Sequence, residues 1–191
     1  MQHWLVDPMD APAVLTHRLK LILLTTECLC AFLRGEYLRA SALGGFTVAP
    51  ECTLLGHPSI ERRLAMIAAD PEQHPWMYRA IVRKDDNLMV GHISFHHKAP
   101  DPDLLVYSNN AAELGDAIDS GYRRNGFARE SALGMMNWAI KQGVYTFVLS
   151  ISPENIPSIR LADSLGFRKI SERMDETDGL EYVYIAEMNE H

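Results

Sequence analysis

Residues 118–130 read IDSGYRRNGFARE, and this stretch decides the fold. A strand pattern over 113–118 ends where the stretch begins, and a helical pattern over 128–141 starts near its end. Gly126 and Ala128 leave the main chain nearly bare, so an anion can approach the free N–H groups at the helix start. The stretch therefore predicts a strand–loop–helix unit with an anion site at the loop.

The positive charge of the loop contrasts with the rest of the chain. The 191 residues carry 18 Lys and Arg against 25 Asp and Glu, a formal net charge of −7. Three arginines nevertheless fall in or beside the loop: Arg123, Arg124 and Arg129. This local reversal of sign suits a polyanion such as a pyrophosphate. A solvated basic turn that caps a helix has the same composition, so the loop alone leaves both interpretations open.

The flanking patterns extend this unit into a mixed sheet. Strands are predicted at 18–24, 77–82, 88–97, 113–118, 144–151, 168–172 and 180–187. Helices are predicted after Thr25 or Thr26, near 37–43, from an N-cap at Ser59 through 69, at 128–141 and at about 155–165. Strand–helix–strand units require parallel neighbours, and hairpins require antiparallel ones. We expect an α/β fold: a mixed sheet of six to seven strands flanked by helices, in one domain over 16–191 that follows an arm over 1–15.

The composition of the chain indicates which classes of partner it binds and in which cellular compartment it works. A hydrophobic fraction of 47% and a charged fraction of 23% are typical of a globular protein. An acidic chain is a poor candidate for nucleic-acid binding, and the longest apolar run, 21–24, is too short to cross a bilayer. Residues 1–12 lack the pattern of a signal peptide, and three cysteines fit a reducing compartment. These features predict a cytoplasmic protein without nucleic-acid or membrane partners.

Two motifs resemble the signatures of the GNAT superfamily of N-acetyltransferases. RRNGFA at 123–128 is similar to its R/Q-x-x-G-x-G/A pyrophosphate loop, and SPENIPS at 152–158 with LGF at 165–167 resembles its second signature. THRLKL at 16–21 is similar to the first strand of the RimJ/RimL-like, ribosomal-protein-type branch. P-loop and Rossmann fingerprints are both missing from the sequence.

The resemblance implies how acetyl-CoA binds as a co-substrate, without a metal. In the family, coenzyme A lies between two splayed parallel strands, which correspond here to 113–118 and 144–151. The backbone of Ala117 and Ile118 then pairs with the pantetheine arm, and Asn155 reaches it near the thioester. Asn155 is equally suited to cap the following helix. The remaining expected ligand residues form the loop: Arg123, Arg124, Asn125, Gly126, Phe127 and Ala128.

The resemblance also implies direct acyl transfer to an amine, with a base and sometimes an acid. Glu113 matches a carboxylate often found on this strand and is the candidate base; the alternative is a surface carboxylate at a strand end. Many GNAT enzymes carry a tyrosine acid where this chain has Ala162, so Ser158 is the candidate to assist through its hydroxyl. Asp116 is a further departure, because an aromatic residue is common there.

Three histidines offer weaker candidates. His92 and His96 share a face of one predicted strand by its period of two, close to His97. Two histidines without a third ligand are weak evidence for a metal, so a scaffold role is favoured, with His96 the reserve base. Cys28 and Cys30 are expected to pack in the core rather than to bind a metal.

The sequence therefore predicts an N-acetyltransferase that acts on a primary amine of a protein N-terminus or of a small molecule. A GNAT-fold module that binds acetyl-CoA without turnover is the alternative, because Ala162 replaces the tyrosine acid. An α/β protein of unrelated function remains a third interpretation. The sequence leaves both a monomer and a homodimer open.

Overall fold

The structure, a computed structural model, describes residues 12–175 and 179–188. Its strands are β1 (Val14–Leu15), β2 (Leu19–Leu23), β3 (Arg79–Arg83), β4 (Met89–Phe95), β5 (Ala111–Ile118), β6 (Thr146–Ile151), β7 (Arg168–Asp175) and β8 (Gly179–Glu187). Its α-helices are α1 (Thr26–Leu33), α2 (Tyr37–Gly44), α3 (Ser59–Ala69), α4 (Phe127–Ile140) and α5 (Ile156–Ser164). Short 3₁₀ helices cover Pro71–Trp76, Pro102–Leu104 and Ser120–Tyr122.

The strands are hydrogen-bonded in the order β1-β2-β3-β4-β5-β6-β8-β7. The β5–β6 pair is parallel, whereas β6–β8, β7–β8 and the pairs from β1 to β4 are antiparallel. The predicted α/β fold with a mixed sheet is thus confirmed. The eighth strand is β1, where Val14 pairs with Leu21, so residues 14–15 of the predicted arm join the sheet. Residues 1–11 of that arm lie outside the described residues.

The chain divides into two compact units. The first holds the chain up to Ser94 together with Asp116–Gly134, and the second holds Phe95–Gly115 together with the chain from Met135 onward. The single domain predicted for 16–191 stays a prediction.

The first unit is built around a core between its helices and strands. Thr25 caps α1 as expected, since its side chain accepts a hydrogen bond from the Cys28 N–H. The α1 residues Leu29 and Phe32 are fully buried in this core. Cys28 is buried there too, as predicted, and burial raises the pKa of its thiol to about 12.

The predicted N-cap of α3 is wrong. Pro58 already has helical dihedral angles, so it occupies the cap position and Ser59 becomes the first residue of the helix. The Ser59 hydroxyl is instead hydrogen-bonded to the Tyr78 hydroxyl and to Nδ1 of His57, at 2.5 and 2.6 Å. The Ser59 hydroxyl is therefore engaged by Tyr78, just before β3, and not by the backbone of α3.

The second unit contains β6 and the paired beginning of β5. β5 and β6 are joined at three positions only, from Ala111↔Thr146 to Glu113↔Val148. β6 continues to Ile151 and β5 to Ile118, so hydrogen-bonded pairing covers just the first three residues of β5. The parallel pairing of these two strands is thus confirmed, and their splay stays a prediction.

Candidate active site

The loop at 123–128 has the backbone that its glycine predicts. Gly126 has a φ of +78° and Arg124 a φ of +64°, so the chain reverses sharply before α4 begins. The Glu130 N–H donates to the Gly126 carbonyl over 3.0 Å. The N–H groups of Phe127, Ala128 and Arg129 precede that bond and have no acceptor within the helix. The loop thus ends on a row of backbone donors suited to an anion.

Two exposed arginines supply charge beside these donors. Arg124 and Arg129 are exposed, and neither forms an ion pair within residues 12–175 and 179–188. Arg123 differs, because its Nε donates to the Ile118 carbonyl over 2.9 Å and closes the loop onto the end of β5. The Asn125 side chain donates to the carbonyls of Tyr122 and Arg123. Arg123 and Asn125 therefore shape the loop, whereas Arg124 and Arg129 are available to a polyanion.

The beginning of β2 fixes the loop from outside. Arg18 donates through Nε to Oε2 of Glu130 over 2.7 Å and through Nη1 to the Asn125 carbonyl over 3.0 Å. The Thr16 hydroxyl and the Arg18 N–H both donate to Oε1 of Glu130 at 2.6 Å. The Arg18 guanidinium also lies 4.8 Å from the ring centre of Phe127. Sequence reasoning placed Arg18 in a strand and missed this contact, since Glu130 lies 112 residues further along the chain.

These contacts keep Glu130 ionised. Burial by itself would raise the pKa of this carboxyl, but the hydrogen bonds from Thr16 and Arg18 outweigh it and hold the pKa below its ordinary value. The Glu130 carboxylate therefore serves as a fixed acceptor at the start of α4, where the helix dipole also favours negative charge.

The end of β5 is held against β4. Gly91 is required there, because a Cβ at this position would lie 2.2 Å from the Ala117 carbonyl oxygen. The Asp119 N–H donates to the Val90 carbonyl, and Oδ1 of the buried Asp119 accepts from both the N–H and the hydroxyl of Thr53. The backbone of Ala117 and the following residue, both expected to pair with pantetheine, is thus rigidly placed.

Glu113 lies in an ion-pair network of the second unit. It is only 3% exposed, so the alternative of a surface carboxylate is wrong. Arg173 contacts Oε1 of Glu113 at 3.1 Å and Oε2 of Glu181 at 3.0 Å, and Nδ1 of His96 lies 3.6 Å from Oε2 of Glu113. Burial raises the pKa of Glu181 despite the opposing effect of Arg173. Glu113 thus has a cationic partner, and the ion pair compensates its charge at this buried position.

Asn155 caps α5. Its Oδ1 accepts a hydrogen bond from the Ser158 N–H over 3.3 Å, which confirms the capping alternative. The half-buried Ser158 follows in the first turn. Ala162 is fully buried on the same helix, so no hydroxyl group is available at that position.

The histidines have unrelated surroundings. His92 is 7% exposed and its ring lies 5.3 Å from the ring of Tyr78. Burial, aided by the nearby His57, lowers the pKa of His92 to about 4, so the ring is neutral. His92 is therefore a packed scaffold residue, as favoured, whereas His96 lies beside Glu113.

One group that the sequence did not single out has ligand-type side chains. His97, Asp101 and Asp103 each place a potential metal-ligand atom within 4.8 Å of the others. Oδ1 of Asp101 already accepts from the Asp103 N–H and caps the 3₁₀ helix Pro102–Leu104. The cluster is therefore explained by local turn geometry.

Residues 49–168 match the family model described as "Acetyltransferase (GNAT) domain". Two Bacillus subtilis proteins, each named an uncharacterized N-acetyltransferase, are similar: YnaD at 24% identity over 90 residues and YjdG at 32% over 88. These matches cover 47% and 46% of this chain and 48% of each relative, so the chain spans about half the length of the curated relatives it matches.

A solved structure from Salmonella typhimurium, described as an acetyl transferase that modifies the N-terminal serine of ribosomal protein L7/L12, has a similar fold. Its TM-score is 0.60 at 16% identity, over 91% of this chain and 97% of that one. Within residues 12–175 and 179–188, no helix is both long enough and apolar enough to span a bilayer.

Proposed function

The chain belongs to the GNAT acetyltransferase family, and we propose that it transfers the acetyl group of acetyl-CoA to a primary amine. The observation that carries this proposal is the loop at 123–128. Its backbone N–H groups, its positive-φ glycine and the two available arginines together suit a pyrophosphate on a chain whose net charge is −7. Few small ligands other than a coenzyme combine a pyrophosphate with an acyl group.

On this proposal, the first unit holds the donor. The N–H groups of residues 124–128 bind the pyrophosphate, and Arg124 and Arg129 add charge. The main chain at Ala117 and Ile118 pairs with the pantetheine arm as an added strand would. Asn155 belongs to the second unit, where its side chain caps α5. No metal is needed, because a thioester already has a good leaving group.

The acceptor is a primary amine of a protein N-terminus or of a small molecule. The Salmonella protein, whose description includes the N-terminal serine of a ribosomal protein, supports the first choice. The acidic charge of the chain favours a cationic acceptor of either kind. Three free thiols suit a reducing compartment, and we therefore place the activity in the cytoplasm, with either a monomer or a homodimer.

Within this reaction, Glu113 and Ser158 have distinct expected roles. Glu113 is a candidate base, although its ion pair with Arg173 suits a positioning role better. Ser158 is the candidate to assist the departing thiolate, a task for which its hydroxyl has no competing role in the α5 cap.

A non-catalytic module that binds acetyl-CoA is the second candidate function. The buried Ala162 favours it, because that position holds a general acid in many members of the family. Both candidates predict coenzyme binding, and only the enzyme predicts turnover.

Thiol release from acetyl-CoA tests the proposal directly. The purified chain is mixed with acetyl-CoA and, in turn, with peptides that begin with serine or alanine and with spermidine. We expect amine-dependent thiol release with at least one of these acceptors, and mass spectrometry should show an added acetyl group. Saturable acetyl-CoA binding without any transfer would instead support the non-catalytic module.

A further inference from the structure

Asp116 carries a carboxylate that takes part neither in the contacts of the 123–128 loop nor in the ion pairs around Glu113. It lies on β5 and is half-buried. Its side chain forms no hydrogen bond or ion pair with any residue in 12–175 or 179–188. A half-buried carboxylate without a partner is costly for a fold, so its presence calls for a function.

The position of Asp116 on β5 is informative once the donor is placed. The pyrophosphate loop begins five residues after the strand ends, at Arg123, and the pantetheine arm is assigned to Ala117 and Ile118. The arm extends from the pyrophosphate back along β5, so its thioester end points toward the residues before Ala117. Asp116 is the next residue in that direction, about 3.3 Å further along the strand.

We propose that Asp116 is the general base of the transfer, taking the proton from the acceptor's ammonium group. This inference rests on the proposed acetyltransferase function.

Asp116 suits this task better than Glu113 does. Glu113 is almost fully buried and Arg173 lies 3.1 Å from its carboxylate, so protonating it would break an ion pair. Asp116 is partly exposed, and its oxygens have no partner among residues 12–175 and 179–188, so it can accept a proton without losing a contact to these residues. Glu113 then acts as a positioning residue that holds Arg173.

Burial makes Asp116 a stronger base than an ordinary aspartate. It raises the pKa of Asp116 from 3.8 to about 6, and no charged neighbour contributes to the change. An α-ammonium group has a pKa of about 8, so proton transfer to Asp116 is unfavourable by about 10²-fold rather than about 10⁴-fold. For a lysine side chain, with a pKa of about 10.4, the transfer remains unfavourable by more than about 10⁴-fold.

The acceptor nitrogen loses two protons in the transfer, one to Asp116 and one to sulfur. The Asp116 carboxylate accepts a proton from the ammonium group, and the amine lone pair attacks the thioester carbonyl to form the C–N bond. The C–S bond breaks and its electron pair leaves on sulfur. The second proton lost by nitrogen goes to the thiolate, directly or through water, which gives the amide and the coenzyme A thiol. Asp116 then releases its proton to solvent.

The test compares Asp116→Asn with the wild type, using acetyl-CoA and the serine- and alanine-initiated peptides. Asp163→Asn, at an exposed position of α5, is the matched control. We expect Asp116→Asn to lower kcat about 10²- to 10⁴-fold at pH 7 with acetyl-CoA affinity unchanged. The deficit should shrink as the pH rises toward 9, because the amine is then neutral without help. The wild-type rate should fall below about pH 6, where Asp116 becomes protonated, whereas the variant's rate should already fall below about pH 8, where the amine itself becomes protonated.

Each other outcome is decisive. A wild-type rate in Asp116→Asn across this pH range would remove Asp116 from the mechanism and leave the acetyltransferase function intact. A loss of acetyl-CoA affinity that accounts for the whole deficit would make Asp116 a binding residue and overturn the base role. A wild type that binds acetyl-CoA but acetylates no amine would refute the enzymatic proposal and the base role together.

Discussion

Replacing Asp116 with asparagine should stabilise the protein, by an amount that depends on pH. Burial raises the pKa of the folded-state carboxyl from 3.8 to about 6. Between these values the folded state holds a proton that the unfolded state has lost, so the free energy of unfolding falls as the pH rises. This destabilisation amounts to about 1 kcal/mol at pH 4.5 and about 3 kcal/mol at pH 7.5.

The asparagine removes the ionisable group but leaves an amide that also lacks partners. That amide costs roughly 1–2 kcal/mol at any pH, so the absolute gain at pH 7.5 is only about 1–2 kcal/mol. The change of this stability difference with pH is the better test, because the cost of the unpaired asparagine amide is the same at every pH and cancels. We expect the difference in unfolding free energy between Asp116→Asn and the wild type to grow by about 2 kcal/mol from pH 4.5 to pH 7.5.

Urea unfolding, followed by circular dichroism at both pH values, measures this change. With a slope of about 2 kcal/mol per molar urea, the midpoint of Asp116→Asn should gain about 1 M relative to the wild type between pH 4.5 and 7.5. Asp163→Asn should show no such trend. A difference that stays constant with pH, or one that grows in the opposite direction, would refute the reasoning, because it would mean that the Asp116 carboxylate is well solvated or has a partner.

Two further substitutions test the supports of the site. Arg18→Ala removes the side-chain contacts of Arg18 to Glu130 and to the Asn125 carbonyl. We therefore expect acetyl-CoA affinity, measured by calorimetry, to fall about 3- to 30-fold. Arg39→Ala, at an exposed position of α2, is the control and should leave the affinity unchanged. Glu113→Gln leaves Glu181 as the remaining carboxylate partner of Arg173. We therefore expect the free energy of unfolding, measured with urea, to fall by about 1–3 kcal/mol and acetyl-CoA affinity to stay the same. An unchanged free energy of unfolding would show that the Glu113–Arg173 ion pair does not stabilise the fold.

Structural features that depend on neighbouring residues could be predicted from the sequence. The Thr25 cap and the helix after the loop depend on neighbouring residues. The cap forms as predicted, and the helix predicted over 128–141 spans Phe127–Ile140. The parallel strand pair followed from topology alone, because a helix separates the two strands. The Asn155 cap was also visible in its turn sequence.

The rest depends on contacts between distant residues. Nothing near Arg18 in the sequence points to Glu130, and the partner of the buried Glu113, Arg173, lies 60 residues later. Ser59 failed as a cap because Tyr78 engages its hydroxyl. Asp116 was noticed as a departure from the family pattern, but its lack of a partner and its raised pKa needed the folded structure.

Calorimetric titration with acetyl-CoA tests the central claim most directly, with Gly126→Glu compared against Gly143→Glu. Both glycines have positive φ and both substitutions add one negative charge, but only Gly126 lies in the loop. We predict saturable binding by the wild type and by Gly143→Glu, with at least a tenfold weaker affinity in a folded Gly126→Glu. Absence of binding to the wild type, or equal affinity in all three proteins, would contradict the assignment of this loop to the coenzyme pyrophosphate.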